Sequence, residues 1–117
     1  MIQKALLLAL ASAAVLSGCT GDRHPSDAEL GLTPQQAHGR RIYEARCAQC
    51  HYAYRSGDLN GPTMKALYRK PYMPSGVPAN DERVREVILR GKRMMPGYTG
   101  FLGDEQMNDL IAYLRTL

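Results

Sequence analysis

Residues 47–51 read Cys47-Ala48-Gln49-Cys50-His51. Two thiols three apart, followed at once by an imidazole, have the spacing of a c-type haem attachment. The spacing has a physical reason. Thiols so placed at a helix end can each add to one vinyl group of a porphyrin, and the His after them lies under the iron and supplies a ring nitrogen. Two other readings compete. A redox-active dithiol usually opens a helix after a strand in a βαβ setting, whereas this pair follows a helical stretch with no βαβ pattern around it. Half of a structural zinc site would need two more ligands, and His24 and His38 stand at no ligand-like spacing.

Working outward, composition points the same way. The chain has 117 residues, the length of one domain. Leu, Ile, Val and Phe number 23, but seven precede Cys19, leaving 16 in the last 99 residues. So low a share accompanies disorder when net charge is high, yet removing Lys4 takes the net charge only from +4 to +3. A chain short of apolar side chains but modestly charged needs something bulky to complete its core, and a porphyrin would do so. A charge of +3 spread over this length is also too weak a footprint for nucleic-acid binding as the main task.

Upstream, Lys4 is the only charge before Asp22, and Ala5 to Leu16 is an apolar run broken only by Ser12. The run is too short to span a bilayer, which takes about 20 residues, and fits the apolar region of a secretory signal over 1–18. It ends Leu16-Ser17-Gly18-Cys19, which resembles the bacterial lipobox, where cleavage precedes a Cys that carries lipid. That resemblance implies an exported domain anchored on the periplasmic side of a membrane, inner or outer. Residues 19–32 are polar and turn-rich and read as the lipidated Cys19 with a flexible tether, before a folded domain over 33–117.

Within that domain, Thr33-Pro34-Gln35-Gln36 predicts a helix start, with Thr as N-cap, Pro at the first position and Gln at the third, and the helix runs to about Arg46. Asn80, with Asp81 and Glu82 behind it, opens a second helix ending at Arg90 and Gly91. Met107, Leu110, Ile111, Leu114 and Leu117 form the apolar stripe of a last helix beginning at Gly103 or Asp104. Residues 56–80, rich in Gly and Pro, read as a long loop with one helical turn around Met64 to Arg69, and no window alternates like a strand. The fold class is therefore all-α: three to four helices and long loops around one cofactor.

The ordered set of features resembles the small monohaem c-type cytochromes of the all-helical, His/Met-ligated type over Pro34 to Leu117, 84 of the 117 residues. Gly39 with Tyr43, then Cys47-x-x-Cys50-His51, matches the first helix and attachment site. Gly61-Pro62 resembles the loop whose Pro carbonyl accepts a hydrogen bond from the haem His. Ile88-x-x-Gly91 followed by Met95-Pro96 resembles the axial-Met segment, and Leu110, Tyr113 and Leu114 resemble the last helix, with Tyr113 near Gly39. The resemblance implies one covalent haem c bound through Cys47 and Cys50, iron ligation by His51 and Met95, a supporting role for Pro62, and one-electron transfer between proteins with no bond-making chemistry; the alternatives are an open-site haem enzyme or gas-binding cytochrome, and a fixed electron-entry subunit of a dehydrogenase or oxidase complex. Met94, beside Met95, is a departure from the pattern and the second candidate for the ligand, with gap-filling as its packing role; Met73 precedes Pro74 but comes before the second helix; Met64 and Met107 read as packing. Tyr68 and Tyr72 read as packing residues in preference to contacts with haem propionates. Arg83, Arg85, Arg90, Lys92 and Arg93, against Glu86 alone, with Lys65, Arg69 and Lys70, suggest a basic face for redox partners with an acidic docking surface.

Overall fold

The computed structural model describes residues 24–117, so the expected signal segment and Cys19 lie outside the described residues. Three α-helices carry the fold: α1 over Pro34–Arg46, α2 over Asp81–Arg90 and α3 over Asp104–Leu114, with a 3-10 turn at Leu67–Arg69. Among the described residues there is no strand, only isolated bridges pairing Tyr72 with Pro78 and Lys92 with Met95. None of the described helices is long and apolar enough to cross a membrane.

The helix starts follow the local chemistry. Thr33 Oγ1 accepts from the Gln36 N–H at 3.2 Å, and the Gln36 side chain accepts from the Thr33 N–H at 2.9 Å, closing the box expected there. Asn80 caps α2 by accepting from the Arg83 N–H at 3.0 Å. Gly91 ends α2 at φ +73, a conformation that favours glycine.

α1 and α3 pack face to face, and Gly39 makes the crossing possible. A Cβ there would overlap the Asp109 carbonyl and come within 2.9 Å of Tyr113 Cβ. Around the crossing lie Ile42, Tyr43, Met107, Leu110, Ile111, Tyr113, Leu114 and Leu117, with Val84 and Ile88 from α2 and Leu67 from the 3-10 turn. The Tyr43 and Tyr113 rings meet edge-on, centroids 5.4 Å apart.

The structure revises the reading of 19–32 as a flexible tether for its later part. Residues 26–32 form a hydrogen-bonded turn, with Leu30 N–H donating to Ser26 O at 3.1 Å and Leu32 N–H to Asp27 O at 3.0 Å. Leu32 packs on the core, and Asp27 accepts from the buried Arg40 guanidinium at 2.9 Å. A buried guanidinium requires a partner, and Asp27 supplies one of two, the other being Glu44 at 2.7 Å. Sequence alone hid this, because turn-rich polar residues look the same whether they bond one another or water.

Candidate functional site: a one-turn thiol pair and a tethered imidazole

The 47–51 segment continues α1 by one further turn. Cys47 N–H donates to Tyr43 O at 2.7 Å, Cys50 N–H to Cys47 O at 3.0 Å, and His51 N–H to Cys47 O at 2.9 Å. Both thiols are free, Cys47 half-buried and Cys50 exposed. Burial pushes the Cys47 thiol up to about 11, with Cys50 adding to the shift. The pair follows a helix, with no strand among the described residues to make the βαβ setting of a redox dithiol. Among the described residues no group of three or more His, Cys, Asp or Glu could hold a metal ion, so the zinc reading lacks ligands as well.

His51 is held from two sides. Its Nδ1 lies 2.6 Å from the Pro62 carbonyl. A carbonyl only accepts, so Nδ1 carries the proton and Nε2 keeps the lone pair needed to bind a metal. Its backbone carbonyl accepts from the Tyr43 hydroxyl at 2.7 Å, which ties the ring's base to α1. The loop returns to His51 because Thr63 closes it: Thr63 Oγ1 donates to Arg55 O at 2.7 Å, while Gly61 N–H donates to Cys50 O at 2.8 Å. Gly61 lies flat against the imidazole. A Cβ there would stand 2.5 Å from Cε1 and 3.0 Å from each ring nitrogen.

The Met95 segment is held just as tightly. Lys92 and Met95 exchange backbone hydrogen bonds of 3.1 and 3.0 Å around a turn in which Arg93 adopts φ +54. The chain then folds back on the end of α2. Tyr98 N–H donates to Ile88 O at 3.0 Å, and a Cβ on Gly91 would stand 2.6 Å from Gly97 N. The Tyr98 hydroxyl donates to Arg46 O at 3.0 Å, linking this segment to the residue before Cys47. Met94 and Met95 part company here: Met94 is 97% exposed, whereas Met95 is half-buried against the core. Met107 is fully buried in the α3 stripe, and Met64 and Met73 are half-buried.

The donor set fits a covalent haem: two thiols on one turn, an imidazole with a fixed tautomer, and a thioether, a soft donor suited to haem iron. Residues that sequence reasoning missed include Thr63 and the Tyr98–Arg46 link, which join points far apart in the chain and leave no local signal. Tyr68 packs under the Arg115 guanidinium, 5.1 Å from its ring centroid and beside Asp81, while Tyr72 is exposed.

The family described as cytochrome C oxidase, cbb3-type, subunit III matches residues 34–114. Among similar proteins is a cytochrome c of Chlamydomonas reinhardtii, 31% identical, the match covering 68% of this chain and 86% of that protein. A cytochrome c6 of Limnospira maxima is 32% identical over 67% of this chain and 88% of its own length. The chain belongs to this family of small c-type cytochromes, and it is an all-α, haem-c electron carrier.

Proposed function

We propose that the chain is exported, anchored through lipid at Cys19, and passes single electrons between redox proteins outside the cytoplasmic membrane, with no bond-making chemistry of its own. Cys47 and Cys50 hold the haem by thioether bonds, and His51 and Met95 ligate its iron. The observation that carries the site assignment is the 2.6 Å contact between His51 Nδ1 and the Pro62 carbonyl, on the same turn as both thiols. When bound, the iron supplies a one-electron couple whose potential Met/His ligation raises. The chain's own residues orient the donors. Pro62 fixes the tautomer, Tyr43 and Gly61 fix the ring, and the turn at 92–95 presents Met95 instead of Met94. Acidic organic solvent should fail to extract the pigment; release of free haem overturns the covalent assignment. Replacing Cys19 with Ser should move the protein from the membrane to the soluble fraction, and unchanged membrane association would mean a different anchor.

Within residues 83–93 a single carboxylate serves two of the five cations. Arg83 and Arg90 both pair with Glu86, at 2.8 and 3.3 Å, and Arg85 donates to Asn108 at 2.7 Å. Lys92 and Arg93, on the turn before Met95, make no ion pair among the described residues, and with Lys65, Arg69 and Lys70 they are cations available to steer an acidic partner.

A further inference from the structure

The carbonyl that holds His51 belongs to a peptide group with a second partner. The Pro62 C=O and the Thr63 N–H are the two polar ends of one peptide plane. The bond between them is trans, so the two ends point in opposite directions. The C=O meets His51 Nδ1 at 2.6 Å. The N–H donates to Asp58 Oδ1 at 3.1 Å. The two hydrogen bonds therefore run in series, from carboxylate through peptide to imidazole.

Neighbouring bonds hold this plane in place. Thr63 Oγ1 donates to Arg55 O at 2.7 Å, lies 3.2 Å from Tyr52 O and accepts from the Lys65 N–H at 3.1 Å. Tyr52 O also accepts from the Met64 N–H at 2.8 Å. Tyr52 directly follows His51, so the same few residues fix the imidazole and the peptide that touches it. Gly57, at φ +87, turns the chain just before Asp58 and brings that side chain back toward Thr63.

Such a series has a direction. A bond from an N–H to a carboxylate is charge-assisted, about twice as strong as a neutral one. Hydrogen bonds in a chain polarise one another. Drawing the Thr63 proton toward Asp58 leaves more negative charge on the Pro62 oxygen. That oxygen pulls harder on the Nδ1 proton, and electron density moves to Nε2. An imidazole whose other nitrogen donates to a carboxylate is a more basic metal ligand. Here the carboxylate acts at one remove, with a peptide plane interposed. A more basic axial imidazole favours ferric over ferrous iron and lowers the potential that Met ligation raises. Asp58 is exposed, so water competes for its oxygens and the effect is a few-fold one.

We propose that Asp58 is a positioning residue for the haem ligand: through the 62–63 peptide it strengthens the hold of the Pro62 carbonyl on the His51 proton and lowers the reduction potential of the carrier. The inference rests on iron ligation by His51 and Met95. Asp58→Asn tests it, because the amide keeps an oxygen for the Thr63 N–H and removes the charge. Two quantities are read on the purified holoprotein. One is the reduction potential by spectroelectrochemistry; the other is the proton and nitrogen NMR of the His51 ring in the reduced, diamagnetic state. Ligation is checked first in the wild type, where the porphyrin ring current should shift the His51 ring protons far upfield. Their absence from that region overturns the ligand assignment and this inference with it. With ligation established, Asp58→Asn should change the oxidised-to-reduced ratio at a fixed applied potential about threefold toward the reduced form, ~30 mV for a one-electron couple. The His51 Nδ1–H resonance should move upfield as its hydrogen bond weakens. Asp58→Ala, with no acceptor left for Thr63, should move both readouts at least as far. A potential that rises while the Nδ1–H resonance stays put overturns the inference, since the charge then acts on the iron through space. An unchanged potential overturns it too, and both results leave ligation by His51 intact.

Discussion

At the scale of single residues, the site depends on a few atoms that admit no substitute. Gly61 is one: the missing Cβ is the space the His51 ring occupies. Gly61→Ala should displace the imidazole or the 59–62 loop and cost on the order of 1–3 kcal/mol, the usual penalty for overpacking. A urea titration of the holoprotein measures it, and a change within error would mean the loop yields freely. Met95 and Met94 offer a sharper comparison. If the half-buried thioether is the ligand, Met95→Ala should lower the reduction potential and let carbon monoxide bind the reduced iron. Met94→Ala and Met73→Ala should leave both unchanged. Carbon monoxide difference spectra on the three variants decide it, and a response confined to Met73→Ala would reassign the ligand. The relevant pattern, a Met before Pro after a helix-ending Gly, is written locally at Gly91 to Pro96. What was not legible is why Met94 faces solvent while Met95 packs on the core. That depends on Arg93 adopting a left-handed backbone, which nothing in an Arg side chain announces.

At the scale of elements, the helices were legible because their signals are local. Thr33 and Asn80 cap by bonding a backbone N–H three residues on, and the α3 stripe needs only its own spacing. Thr33→Ala should cost about 1 kcal/mol. Gly39→Ala should cost more than Gly61→Ala, because the Cβ would meet backbone on α3, which cannot move without opening the helix crossing. Pairings between elements were not legible. His38 bonds Asp109 across 71 positions, and Asp81 on α2 accepts from Arg115, beyond α3, at 2.7 Å. The Arg115 guanidinium holds the Asp81 carboxyl below its usual value. A lowered folded-state pKa gives stabilisation that is present above the unfolded value and is lost as pH falls through the folded one. Both side chains are about half exposed, so solvent screens the clasp and its contribution is small. Asp81→Asn should therefore lower the urea midpoint slightly at neutral pH. The gap from wild type should close as pH drops below the carboxylate range, and a gap that widens in acid would contradict the assignment.

At the scale of the whole molecule, the scarcity of apolar residues after Cys19 and the arrangement of charge belong to one design. The described core is small and gathers at the α1–α3 crossing, while the segments that present His51 and Met95 are loops held by hydrogen bonds. The charge count along 83–93 sets Glu86 against five cations, and in the structure Glu86 lies within one turn of Arg83 and Arg90 and engages both. Lys92 and Arg93 sit on the turn leading into Met95, and the segment from Met95 to Tyr98 runs to Arg46 at the attachment turn. Complementary charge raises encounter rates more than final affinity, and a carrier that must bind and release quickly gains from this through a small interface. Screening shortens the reach of such charges from ~10 Å at 0.1 M salt to ~3 Å at 1 M. Electron transfer to the partner should accordingly slow steeply over that range. Charge reversal at Lys92 and Arg93 together should flatten the dependence without moving the haem spectrum. A rate indifferent to salt in the wild type would return Lys92 and Arg93 to the role of solvated surface charges.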